Sequence, residues 1–245
     1  VNELRVIACD RAPRDVLGGE LADAVLDARS PRTSAWSQGD FGLAAARGAR
    51  GVLLTLEDAT APGHELVHGP GSHAGALSLL RAARAAGLEV AVTTTITRSS
   101  ARSTAALAEL LVEARVIGWR LALVTPVDPG DAAARSPSLG VCAPHVLHAA
   151  DRAARSGVEI FFDAFPLCVL GPFARWQRPR AGEASGAPCD GCASRAGCPG
   201  LPRLHRERFG ARELRPVAAV PEVPRTPRRA LAASLLAPSS KTSAD

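Results

Sequence analysis

Residues 51–97, GVLLTLEDATAPGHELVHGPGSHAGALSLLRAARAAGLEVAVTTTIT, decide the fold. They open on a short apolar run, 51–56, bounded by Gly51 and by Glu57-Asp58, which reads as a buried strand. From Ser72, a helix-capping residue type, Ala76, Leu80 and Ala83 repeat at helical spacing, with Arg81 and Arg84 on the other side and Gly87 as the stop. Residues 88–97, rich in Val, Thr and Ile, then read as a second strand. Strand, crossover helix, strand is the parallel βαβ unit.

The same alternation extends in both directions. Upstream, residues 4–8 read as a strand, and Leu21, Val25 and Ala28 share the face of a helix. Downstream, Leu107, Leu110, Leu111 and Ala114 form an i, i+3, i+4, i+7 stripe. Residues 119–124 make the next strand. Pro144 suits the first turn of another helix, with Leu147, Ala150 and Ala154 inward, and 158–162 is the last strand. The expectation is an α/β protein: a partial (β/α) barrel of about five parallel strands over 1–165, with a doubly wound sheet as the alternative. That is too few for the closed eight-strand barrel of ~250 residues. In such folds ligands gather at the C-terminal ends of the strands. By position those ends offer the polar Thr55, Glu57 and Thr95, with Val124 as an apolar wall.

After 165 the pattern changes. Residues 166–217 are rich in Pro, Gly, Cys and Arg and too irregular to order themselves by apolar burial. The tail, 218–245, is Pro, Arg, Ala and Ser and is expected to be disordered. Four of the six cysteines lie in the irregular segment, as Cys168-x20-Cys189-x2-Cys192-x5-Cys198. Cys189-Asp190-Gly191-Cys192 lets two thiolates face one metal from a tight turn. Four thiolates suit tetrahedral zinc or a [4Fe–4S] cluster, and spacing alone does not choose. Either would supply the missing order. Cys9 and Cys142 stand alone and are left unassigned; such residues are commonly small buried hydrophobes.

The 245 residues are 47% hydrophobic and 22% charged, which excludes a wholly disordered chain. No stretch approaches the ~20 apolar residues of a membrane span, and no signal peptide is visible. A cytoplasmic protein is expected, with no membrane partner. Net charge is +5, but the arginines are scattered and aromatics make up 4%, so no stacking surface for nucleic acid is visible. Methionine is absent even at position 1, so the chain is read as starting at an alternative codon, having lost its initiator, or being a piece of something longer. His64-Glu65-Leu66-Val67-His68 matches H-E-x-x-H, the zinc-hydrolase motif. Between Pro62-Gly63 and Gly69-Pro70-Gly71 it has room for scarcely more than one helical turn, and no third ligand is obvious. His145 and His148 share a helix face and are either ligands or a solvated pair.

Residues 54–64 (LTLEDATAPGH), Gly69-Pro-Gly-Ser-His73, 87–97, and Trp119-Arg-Leu-Ala-Leu-Val-Thr-Pro126 resemble the later strands and helix starts of radical S-adenosylmethionine enzymes. Phe165-Pro-Leu-Cys168, Cys189-Asp-Gly-Cys192, Cys198-Pro-Gly200, Phe209-Gly210 and Glu213 resemble that family's SPASM/twitch auxiliary-cluster segment. The resemblance covers about residues 30–217. It implies an auxiliary [4Fe–4S] cluster on Cys168, Cys189, Cys192 and Cys198, with zinc as the alternative. It also implies a peptide or small-metabolite substrate, a possible partner radical S-adenosylmethionine protein, and S-adenosylmethionine at the strand ends. The family's Cys-x3-Cys-x2-Cys is absent, since only Cys9 precedes Cys142. The implied protein is therefore truncated or degenerate, without its own radical-generating cluster.

Overall fold

In the computed structural model, which describes residues 4–29, 36–177, 187–219 and 230–234, six strands form one parallel sheet in the order of the chain. They are β1 (Arg5–Ala8), β2 (Ala24–Ala28), β3 (Gly51–Thr55), β4 (Glu89–Ile96), β5 (Gly118–Leu123) and β6 (Glu159–Asp163). Each strand pairs with the next, so the order never reverses as it does in a doubly wound sheet. The result is an open, partial-barrel α/β fold. Between the strands lie α1 (Pro13–Leu17), α2 (Gln38–Ala46), α3 (Ala61–His68), α4 (Ser72–Ala85), α5 (Thr104–Glu113), α6 (Pro129–Arg135) and α7 (Leu139–Arg155). No helix among the described residues is long and apolar enough to cross a membrane.

The sixth strand is β2, where a helical face was expected from Leu21, Val25 and Ala28. All five β2 residues are buried. A strand covered on both faces carries no alternation, and in so short a run periodicity does not separate it from a helix. The second difference is α7, which begins at Leu139, five residues before Pro144. Pro144 removes an N–H early in the helix, and the helix continues past it. Its buried face is Leu139, Cys142, Ala143, Val146, Ala149, Ala150 and Ala153, with Leu147 and Ala154 only half-buried. Ser72 is the first residue of α4 rather than its cap; Gly71, in the left-handed region at φ 79°, takes that place.

Two apolar clusters sit on the two faces of the sheet. The larger joins Leu26, Leu54, Val92, Trp119 and Phe162 to the helices, including Phe41, Leu80, Leu107, Leu111 and Val146. The smaller occupies the concave face: Val25, Leu53, Ala91, Ile117 and Phe161 pack with Leu231 and Ala232. Those last two belong to α10 (Ala230–Ser234), a helix in the tail that was expected to be disordered. Residues 220–229 and 235–245 lie outside the described residues.

Beyond β6 the chain runs through α8 (Leu167–Leu170), a 3-10 helix at Gly171–Trp176, two 3-10 turns around Cys189 and Arg195, and α9 (Arg203–Phe209). Glu213 fastens this segment to the barrel. Its carboxylate accepts hydrogen bonds from Ser138 Oγ at 2.5 Å, Gly140 N at 2.8 Å and Leu139 N at 3.0 Å, all at the start of α7. Burial opposes its charge, but these three donors and nearby His205 outweigh burial and hold its pKa below the ordinary value.

Candidate functional sites

Cys168, Cys189, Cys192 and Cys198 line one small cavity, walled by Pro166, Leu167, Pro188 and Leu214. Each arrives on a different local element: Cys168 in α8, Cys189 at the end of a 3-10 turn, Cys192 in the turn that follows, and Cys198 beside Pro199-Gly200. Main-chain N–H groups are aimed at three of the sulfurs. Leu167 N and Gly200 N each donate to Cys198 Sγ at 3.4 Å, and Val217 N donates to Cys192 Sγ at 3.5 Å. The N–H of Arg215 donates to Cys168. Such donors favour a thiolate over a thiol. Burial acts the other way: it raises the pKa of Cys168 and of Cys189, and the neighbouring sulfurs add to the rise. No group of three or more His, Cys, Asp or Glu among the described residues is arranged to hold a metal ion. The four thiols thus share a cavity wall without closing on one point.

Cys9 and Cys142 are different. Both are fully buried, and burial pushes each thiol up to about 12, so neither is a ready thiolate.

The second constellation is the concave face above the Val25–Phe161 cluster. Parallel partners point to the same side of a sheet, so register assigns the rows. Thr55 pairs with Thr93, and Thr93 with Arg120; Thr95 pairs with Ala122, and Ala122 with Asp163. Asp27, paired with Leu53, belongs to the same face one row down. Arg29 forks onto Asp27 through Nε at 2.7 Å and Nη2 at 2.6 Å. Arg120 is bonded to Asp163, and both are buried. Glu57, also buried, accepts from Thr95 N at 2.5 Å and from Thr95 Oγ1 at 3.2 Å.

Of the residues expected at strand ends, Thr55, Thr95 and Glu57 thus stand with this face, and Val124 follows β5 and is buried. The sequence reading missed Asp27, Arg29, Thr93, Arg120 and Asp163. The signal was available for Arg120, a lone charge inside the apolar strand GWRLAL. Asp27 was hidden by the helical reading of β2.

The H-E-x-x-H residues lie on α3, which has eight residues, nearer two turns than one, because Thr60 caps it and Pro62 lies in its first turn. His64 and His68 lie against each other, tilted by 36° with ring centroids 4.8 Å apart, and His73 joins them at 5.7 Å from His64. His64 Nδ1 accepts the N–H of Glu57 at 3.0 Å, and His68 Nε2 is 3.4 Å from Glu57 Oε1. Glu65 turns away to accept the N–H of Gly71 at 2.9 Å. The motif therefore serves the loop after β3, with Glu65 committed to a turn. His145 and His148 are exposed on α7.

Neither a protein-family model nor a curated protein matches the chain. A solved structure similar to it is the HMG-CoA lyase from Brucella melitensis, at 13% identity and TM-score 0.32, aligned over 61% of this chain and 60% of that one. The chain thus spans less than two thirds of that protein's length. No family model, that of the radical S-adenosylmethionine enzymes included, matches the chain, and the family assignment implied by the sequence resemblance is withdrawn. The one cysteine at the front of the barrel, Cys9, is fully buried and held protonated.

Proposed function

We propose that this chain is a metal-binding protein in which Cys168, Cys189, Cys192 and Cys198 hold a [4Fe–4S] cluster beside a partial (β/α) barrel. The observation that carries the reading is the shared cavity, with main-chain N–H donors already aimed at Cys168, Cys192 and Cys198. Donors to sulfur stabilise bound thiolates and tune a cluster's potential. A single zinc ion draws four sulfurs to about 2.3 Å from one point. A cubane would hold them at the corners of a wider core. With all four irons held by cysteine, the cluster would supply electron transfer or structural support, not an open site for chemistry. The protein's own part is to keep water from the sulfurs with Pro166, Leu167, Pro188 and Leu214, and to release four thiol protons on binding.

The test uses the full chain purified without oxygen. Cys192→Ala and Cys198→Ala should each lose the visible absorption of the cluster and its iron. Undiminished iron and absorption in both variants would overturn the reading. Zinc without sulfide would replace the cluster by a structural ion.

A further inference from the structure

On the concave face of the barrel, buried polar atoms of Arg29 and Thr93 have no hydrogen-bond partner among the described residues. The Arg29 side chain is 8% exposed. Its Nε and Nη2 are spent on Asp27, and its third nitrogen, Nη1, has no partner among the described residues. Thr93 Oγ1 is likewise buried and without a partner there. Thr93 lies between Thr55 and Arg120 in one row of the sheet, and Thr55 Oγ1 reaches the carbonyl of Arg29 at 3.3 Å. Arg29 therefore stands in the same row, beside Thr55. A buried donor left unmade costs about 1–3 kcal/mol. Two of them on one face, at the strand-end side where such barrels bind ligands, are donors available to a ligand.

The charges narrow what that is. Asp27 answers Arg29 and Asp163 answers Arg120, while Glu57 adds a further carboxylate above them. The face has no positive surplus to hold an anion. What it offers are donors for uncharged oxygen, at Arg29 Nη1 and the Thr93 hydroxyl, and carboxylate acceptors for O–H groups, at Glu57 and Asp27. We infer that Arg29, Thr93 and Glu57 form a binding site for a small uncharged polyhydroxylated molecule of the sugar class. The site shares no residue with the cysteine cavity, so its failure would leave the metal centre untouched, and the reverse.

The experiment measures thermal unfolding and binding of the full chain with a panel of pentoses and hexoses, and separately with inorganic phosphate and succinate. Thr93→Val keeps the side-chain shape and deletes the orphan hydroxyl. Without ligand, it should raise Tm, because it removes a buried unsatisfied group; a hydroxyl with a purely structural role would give a lower Tm. With the best-binding sugar, it should weaken affinity about tenfold or more, the usual result when a site built to bond an oxygen loses its donor. Arg29→Lys, which keeps the charge but not the fork, should weaken it too. The inference is overturned if no sugar in the panel raises Tm, if phosphate or succinate stabilises better than every sugar, or if Thr93→Val lowers Tm and leaves affinity unchanged.

Discussion

Leu231 stands over Gly51 so closely that a Cβ at residue 51 would meet its methyl carbons at 2.6 and 2.9 Å and the Glu89 carbonyl at 2.7 Å. A five-residue helix from the tail thus closes the N-terminal end of the concave face, and β3 begins with glycine because only glycine leaves room. Leu231 and Ala232 are 1% and 0% exposed.

This contact predicts a stability cost at both ends. Leu231→Ala should lower unfolding free energy by about 2–3 kcal/mol, as for other large-to-small core changes. Gly51→Val should cost at least as much, since the backbone of β4 cannot yield as a flexible side chain would. Urea unfolding of both variants measures this. A midpoint unchanged by Leu231→Ala would show that α10 does not pack there in solution.

Glu213 links the barrel to the cysteine cavity. It terminates the unpaired N–H groups at the start of α7, and the residues after it, Arg215 and Val217, supply the N–H donors to Cys168 and Cys192. Glu213→Ala should cost about 1–2 kcal/mol, in the range of a lost helix cap. It should also speed loss of bound metal to a chelator. Because the folded-state pKa is depressed, the stabilisation is complete above the ordinary value of 4.5 and is lost as pH falls through the folded value. A variant with wild-type stability and metal retention at pH 7 would remove Glu213 from this role.

His64 predicts a different pH window. Burial, and then the neighbouring His68, lower its pKa to about 4. Its Nδ1 already accepts the Glu57 N–H, so a proton there would break that bond. The unfolded chain takes up the proton near pH 6.5 and the folded chain only near 4, so stability falls as pH drops between them. The His64 share should be about 2 kcal/mol between pH 7 and pH 5. It is read as the difference in pH dependence between wild type and His64→Gln. Parallel curves for the two proteins would mean that His64 titrates as it does in the unfolded chain.

Much of this architecture is legible in the sequence, and the exceptions have physical causes. The βαβ unit at 51–97 is plain because β3 and β4 are bounded by Gly, Glu and Asp and separated by a long amphipathic helix. β2 is hidden because a strand buried on both faces has no period to read. α10 is hidden because one leucine among four small residues in a Pro-rich tail carries no signal of the Gly51 cleft it fills. The cysteine cluster is visible as spacing. The concave site is not, because Asp27, Thr93, Arg120 and Asp163 lie on four strands, with Arg29 just after one of them, that only the register brings side by side.

The most direct measurement is iron, zinc and acid-labile sulfide content of the wild-type chain purified without oxygen. The four-cysteine account predicts iron and sulfide in equal amounts, near one [4Fe–4S] cluster per chain. Protein carrying neither iron nor sulfide after anaerobic purification and reconstitution, with all four thiols open to alkylation, would contradict it.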